Sequence, residues 1–276
     1  KGKLKMKIVI GYDGSMRSRA AAAMLREQGH IVSAAYVTAS SELPAELESK
    51  AASDGLFITA VYGDDSTTEG VVSALCGYMK AYGFGAAATG HIARVSRDEK
   101  VTVDGENGEK QTVIKPCGAP RIAIAVDVPS DESAKLGLLS AETVAKLVLP
   151  LGELGAGELA EYAKAHSIHA DAAPDAVPVP TGSVGSFRLT GLVFQRGEAP
   201  DPTRGGAMHL CHLPVKVGAA EAVESHIYIH QHVGYGMVAD VIFITAPSYA
   251  EVGERVVVYD NDGNVMLGGR VSALLG

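Results

Sequence analysis

The sequence predicts an α/β domain built on a parallel sheet, followed by a smaller antiparallel β domain. Three observations point there. Short apolar runs alternate with helix-length segments through the first half of the chain. The opening stretch, residues 7–30, reads as strand, glycine-containing loop and helix, the first unit of a doubly wound sheet. Beyond a Pro-, Ala- and Asp-rich stretch at 170–181 the period shifts toward the alternation of a half-exposed sheet.

Each element has its own warrant. Ile8, Val9 and Ile10 form a continuous apolar run, which suits a strand buried on both faces. Gly11 to Ser15 supply turn-competent residues, and an alanine-rich helix then runs from Ser18 to a stop at Gly29. Further strands are expected at 31–37, 56–62, 86–89 and 122–128, with helices at 40–53, 69–82, 140–149 and 158–165. A polar hairpin is expected over 101–112, with D-G-E-N-G at its tip. Later strands are expected at 226–233, 238–245, 254–259 and 265–267, the last pair joined by a turn at 261–264. The stretch 188–213 has two glycine-rich turns and little periodicity. The expected division is 1–168 for the parallel-sheet domain, 169–222 for a small linking region and 223–276 for the antiparallel domain.

Composition limits the function. The chain's 276 residues can enclose a sizeable core. A net charge of -8 argues against a broadly basic nucleic-acid binder, although a local basic patch is compatible with it. No apolar run is long enough to span a bilayer, and K-G-K-L-K-M-K leads into a strand without a signal-peptide core. Cys76, Cys117 and Cys211 do not make a disulfide framework, so a reducing, cytoplasmic compartment is expected.

Ligands of parallel sheets bind at the carboxyl ends of the strands. That edge should hold residues 11–15, 62–65 and 89–94. A helix start beside a glycine loop presents unpaired N–H groups and favours phosphate, although an ordinary turn without a ligand looks the same. His91 would either contact a ligand there or hydrogen-bond a loop. Cys76 falls on an apolar helix face and reads as a buried structural thiol. His209, Cys211 and His212 are the nearest approach to a metal cluster, and no metal is expected. His226, Tyr228, His230 and His232 share one face of a strand, either a solvated face or a surface for RNA.

Several stretches in order resemble the tRNA-specific 2-thiouridylases of the MnmA type, within the PP-loop ATP pyrophosphatases. They are L-R-E-Q-G-H at 25–30, A-T-G-H-I-A-R at 88–94, V-D-V-P-S-D-E-S at 126–133 and L-P-L-G-E-L at 149–154. V-G-E-R-V-V-V-Y-D and V-M-L-G-G near the end resemble that family's closing strands. The third stretch is similar to the family's V-D-x-x-K-D-Q-S. The resemblance implies a Rossmann-like ATP-binding domain, a linking region and a C-terminal β-barrel. It also implies adenylation of a tRNA uridine followed by sulfur delivery from a persulfide cysteine, with a second cysteine assisting. The implied nucleotide- or anion-binding candidates are Asp13, Gly14, Ser15, Arg17, Ser18, Gly90, His91, Arg94, Asp127 and Asp131.

The departures matter as much. Where the family's loop reads S-G-G-x-D-S, this chain has Asp13, Gly14, Ser15, Met16, Arg17 and Ser18. An acid beside a triphosphate repels it. The family's two cysteine positions fall at Gly63 and Ser186, and neither residue carries sulfur. The expectation is therefore a divergent, non-catalytic binding protein that holds ATP and magnesium weakly and whose partner is tRNA or a small anionic ligand. The alternatives are an ATP-using PP-loop enzyme with another donor and an active thiouridylase with rearranged residues. Arg17 and Arg19 both sit at the positive end of the first helix, which disfavours a cation by up to about 1 kcal/mol. An internal pair with Asp13, Asp64 or Asp65 is expected, ahead of a small anion held by Arg17, Ser18 and the loop.

Overall fold

Ile8, Val9 and Ile10 are completely buried in β1 (Lys7–Gly11), which lies inside a five-stranded parallel sheet. The structure, a computed structural model, describes residues 5–40, 42–104, 109–169, 184–195, 209–218, 221–230, 240–247 and 250–275. After β1 come α1 (Met16–Glu27), β2 (Ile31–Thr38), α2 (Ala45–Ser53), β3 (Ile58–Tyr62), α3 (Thr68–Ala81) and β4 (Ala86–Ala88). Then follow β5 (Arg94–Asp104), β6 (Lys110–Ala123), α4 (Ala141–Val144), β7 (Leu147–Val148) and α5 (Glu158–Ala165). The remaining strands are β8 (Val184–Phe194), β9 (His209–Val217), β10 (Val223–His230), β11 (Asp240–Pro247), β12 (Arg255–Tyr259) and β13 (Val265–Leu275).

Two compact units emerge, and they interleave along the chain. The first holds Lys1–Arg94, Ile124–Leu136 and Lys146–Pro178; the second holds Val95–Ala123, Gly137–Ala145 and Val179–Gly276. The divisions expected at 168 and 222 miss this interleaving. Composition marks a polar, Pro-rich linker, and the crossings near 94, 123 and 136 carry no such mark.

In the first unit the sheet order is β3-β2-β1-β4-β7, with every pair parallel. The order reverses between β1 and β4, and such a reversal opens a crevice at the strands' carboxyl ends. Helix α1 buries Ala20, Ala21, Ala22 and Leu25. Small alanines let it lie close to the sheet, where Ile8, Ile10 and Ala34 meet it in one core. Ser15 caps the helix by accepting the Ser18 N–H. Cys76 is buried in α3, as its apolar face suggests.

Three elements before residue 150 differ in kind or extent from expectation. The helix expected from residue 40 starts at Ala45, because Pro44 is its N-cap and restricts the residue before it. The helix expected over 140–149 is one turn, α4, after which Leu147 and Val148 pair with β4 as an edge strand. The strand expected over 122–128 ends at Ala123, and Val128–Ser130 form a 3-10 turn containing Pro129.

In the second unit, β8 to β13 pair antiparallel in the order β10-β11-β8-β13-β12-β9, and β9 also pairs with β10. Strands β8 and β9 lie within the stretch expected as a linker. Register shifts in the β8–β13 ladder account for the missing periodicity: Gly268 faces Val193 while Arg270 faces Thr190, so β8 carries an extra residue there. Gly191, at a left-handed φ of 65°, supplies the bulge. The buried Gln195 side chain accepts from Ile122 N at 2.9 Å and donates to Leu139 O at 3.1 Å. Arg121 pairs with Asp260 at 2.9 Å, tying β6 to the end of β12. The hairpin tip at 105–108 and the boundary stretch 170–181 lie outside the described residues.

Candidate functional site

A cleft of about 760 Å³ opens at the carboxyl ends of β1 and β2, beside the residues that follow β4. Gly11, Tyr12, Asp13, Ser15, Arg17 and Ser18 form one side, and Ala35, Tyr36 and Val37 form another. Thr89, Gly90, His91, Glu132 and Lys135 complete it, with Asp65 at its edge. This is the crevice predicted by the reversal in strand order.

Two of the resembling stretches, 88–94 and 126–133, contribute lining residues to this cleft. Gly90 lies so close to the start of α1 that a Cβ there would meet Arg17 C and Ser18 N, both at 2.9 Å. Gly152 presses against the Ala93 carbonyl, where a side chain would have no room. Ile92 and Glu132 exchange contacts: the Glu132 N–H donates to Ile92 O at 2.7 Å, and the Ile92 N–H donates to Glu132 Oε2 at 3.1 Å. Chain segments distant in sequence thus fix Glu132 beside the first helix.

The loop's polar groups are turned inward. Asp13 Oδ1 accepts the Ser15 N–H at 3.0 Å, and Ser15 Oγ accepts the Ser18 N–H at 3.3 Å. Burial opposes ionisation of Asp13, but the hydrogen bonds from Ser15 and Ser18 outweigh it and hold the carboxyl below its usual range. Gly14 adopts a left-handed φ of 76° with its missing Cβ facing Leu47, a conformation that favours glycine there.

Both arginines of the first turn have internal partners, but not the expected ones. Arg17 Nη1 lies 2.6 Å from Glu132 Oε1. Arg19 forks onto Asp54, with Nε 2.9 Å from Oδ2 and Nη2 2.7 Å from Oδ1, and the Tyr12 hydroxyl donates to the same carboxylate at 2.6 Å. Asp64 instead accepts from the Ser66 N–H and the Thr67 hydroxyl, and Asp65 accepts the Ala39 N–H at 3.0 Å. Short-range turn chemistry claims Asp64, and the backbone at the end of β2 claims Asp65, so neither carboxylate turns to an arginine.

Glu132 gathers more than one cation. Lys135 Nζ also lies 2.6 Å from Oε1. Burial would raise the Glu132 pKa, but Lys135 and Arg17 outweigh it and hold the acid ionised. His91 Nδ1 is 2.9 Å from Thr89 Oγ1. Burial pushes the His91 imidazole below its ordinary value; Glu132 opposes this, and Lys135 and Arg17 reinforce it. His91 therefore both lines the cleft and bonds within its own loop.

Other candidates fall elsewhere. Arg94 donates to the Ile124 carbonyl at 2.7 Å and does not line the cleft. Asp131 Oδ1 accepts the Ala125 N–H at 2.9 Å and Oδ2 accepts the Ser133 hydroxyl at 2.7 Å, the work of a turn-forming acid. Asp127 precedes the 3-10 turn and makes no capping bond through its side chain. Gly63 faces Ala74 and Val37 so closely that a side chain there would strike Ala74 Cβ. The side chains of Ser186, Cys117, Cys211, His212, His226, Tyr228 and His230 lie outside the described set, as does all of His232. Among the described residues no His, Cys, Asp and Glu cluster suits a metal ion, and no helix is long and apolar enough to cross a membrane.

Glu132 and Lys135 were not foreseen as site residues. Glu132 had a legible signal: it stands where the resembling motif has glutamine, just as Arg17 stands where the family loop has aspartate. Two departures of opposite charge meet at 2.6 Å.

No family model matches the chain. Two curated proteins do, both named tRNA-specific 2-thiouridylase MnmA. The one from Chloroflexus aggregans is 33% identical over 95 residues, which is 34% of this chain and 22% of that protein. The one from Roseiflexus castenholzii is 30% identical over 138 residues, 48% of this chain and 34% of that protein. The matches thus span about a third or less of those relatives' length. The resemblance carried by the motifs and the two partial matches agree: the chain is a divergent relative of the MnmA-type tRNA-specific 2-thiouridylases.

Proposed function

We propose that this chain is a binding protein on a thiouridylase-like scaffold, which neither adenylates nor thiolates tRNA. One observation carries the reading: two donors at the loop, the Ser15 N–H and Arg17, are already engaged by the protein's own carboxylates. The Ser15 N–H goes to Asp13, and Arg17 goes to Glu132. Backbone N–H groups and cations bind phosphate only when they are available to it. The lining carries Asp13, Asp65 and Glu132 against Arg17 and Lys135, so its charge is 2 − 3 = −1. A triphosphate adds further negative charge where water is partly excluded, and the repulsion there is strong.

The sulfur chemistry implied by the resemblance also lacks its nucleophile. Position 63 is a glycine packed against Ala74, and position 186 is a serine. Cys76 is buried, and burial raises its thiol pKa, which suppresses the thiolate that would carry sulfur. We place the protein in the cytoplasm, with tRNA or a small anionic ligand as its partner. The competing reading, an ATP-using enzyme with a different donor, has the open cleft beside Tyr36 and Val37 in its favour.

Incubation with tRNA, ATP, magnesium and a sulfur donor, followed by mass spectrometry of the digested nucleosides, tests the reading. The expected result is no 2-thiouridine above a no-protein control. Thiolation that persists when Cys76, Cys117 and Cys211 are all replaced would overturn the argument from the missing cysteines, and any cysteine-dependent thiolation would overturn the non-catalytic assignment.

A further inference from the structure

Three donors converge on the Glu132 carboxylate. Arg17 Nη1 and Lys135 Nζ each lie 2.6 Å from Oε1, and the Ile92 N–H reaches Oε2 at 3.1 Å. The carboxylate itself is nearly enclosed, its side chain 10% exposed, while those of Arg17 and Lys135 are 43% and 54% exposed. All three side chains line the cleft. Glu132 is the one ion-pair partner of either cation among the described residues. Arg17 brings a fork of N–H donors and Lys135 an ammonium with three, so both have donors left over for a second acceptor. Two cations and an amide N–H aimed at one pair of oxygens form an oxyanion site, and in this structure the oxygens belong to the protein.

We propose that Arg17, Lys135 and the Ile92 N–H form a binding site for a dianionic phosphate or phosphate monoester, which Glu132 occupies as a built-in competitor. The inference rests on the reading of the cleft as a binding site without ATP chemistry. An intramolecular carboxylate acts at a high effective concentration, on the order of millimolar or above. A monoanion exchanges one charge for another and gains nothing to offset that advantage. A phosphate dianion brings a second charge and a third oxygen, which the spare donors of Arg17 and Lys135 can engage. Longer polyphosphates meet Asp13 and Asp65 along the same cleft and are disfavoured. The site thus selects for a single phosphate group, and the strength of binding is set by how firmly Glu132 holds its place.

Glu132→Gln removes the competing charge with little change in side-chain size, and a neutral amide yields Arg17, Lys135 and the Ile92 N–H to an anion more readily than the carboxylate does. Inorganic phosphate is titrated calorimetrically into the wild-type chain, E132Q, and the double variants R17A/E132Q and K135A/E132Q, with melting curves confirming that each is folded. E132Q should bind phosphate at least about tenfold more tightly than wild type, and each double variant should lose most of that gain. Glu132→Ala removes both the charge and the occupying side chain; it should show at least the same tenfold gain and takes the place of E132Q if that variant does not fold, a folded E132A without the gain overturning the proposal. Equal affinities for wild type and E132Q would overturn the proposal, as would a gain that survives intact in both double variants. Tight ATP binding by the wild type would overturn the reading of the cleft and leave the phosphate ratio between variants still interpretable.

Discussion

Arg17 and Arg19 stand two residues apart in the first turn of one helix, and they have opposite fates. Arg19 points into the body of the first unit, where Asp54 and Tyr12 close around it and the pair's side chains are 16% and 19% exposed. Arg17 points into the cleft, shares a single carboxylate with Lys135 and remains 43% exposed. A cation at a helix start is unfavourable in both cases. The bidentate, enclosed pair offsets that cost and holds α1 to the end of α2. The cleft pair is more exposed and screened by solvent, so it contributes less to stability and is free to rearrange.

Breaking the enclosed pair should have the largest effect. Asp54→Ala leaves the Arg19 guanidinium and the Tyr12 hydroxyl without their acceptor and should cost about 2–4 kcal/mol of stability, read by chemical denaturation. Arg19 and Tyr12 outweigh the effect of burial and hold the Asp54 carboxyl below its ordinary value. Its stabilising contribution is therefore full above the ordinary aspartate pKa and is lost as pH falls through the depressed folded value. The gap between wild type and Asp54→Ala should narrow in that acid range.

Gly63→Cys comes next. The added side chain strikes Ala74 Cβ on α3, and overpacking of this kind costs about 1–3 kcal/mol. The variant should lose stability in denaturant melts and gain no thiolation. Arg17→Ala should cost no more than about 1 kcal/mol, and less at high salt, as a half-exposed pair does. A double-mutant cycle that gave the Arg17–Glu132 pair a coupling as large as the Arg19–Asp54 pair would erase the distinction between them.

The smallest effect should come from the surface contact between α1 and α5. His166 Nε2 lies 2.7 Å from Glu27 Oε1, and the Tyr162 hydroxyl donates to Glu27 Oε2 at 2.9 Å. The Tyr162 carbonyl and Glu27 raise the His166 pKa. The contact's contribution is full below the ordinary histidine value and is lost as pH rises through the raised folded value. His166→Ala should lower the melting temperature slightly in mild acid, and the difference should vanish at alkaline pH.

Much of the first unit was legible because its signals are local. The apolar run at Ile8–Ile10 and the alanine face of α1 report burial directly. The loop's departures at Asp13 and Arg17 were equally visible in the sequence. Their partners were not. Asp64 looked available to an arginine, yet Ser66 and Thr67 beside it take its oxygens. Glu132 reaches Arg17 only because Ile92 and the turn at Ser133–Leu136 bring distant chain together. In the second unit the bulge at Gly191 breaks the alternation of β8, which erased the periodic signal over that strand.

The central claim is that the protein's own carboxylates occupy the anion-binding groups of the cleft. Calorimetric titration of the wild-type chain with ATP and magnesium tests it most directly. The account predicts no measurable heat, or a dissociation constant weaker than about 1 mM. A micromolar constant with a normal magnesium dependence would contradict it, because Asp13 and Glu132 would then have yielded the Ser15 N–H and Arg17 to the triphosphate.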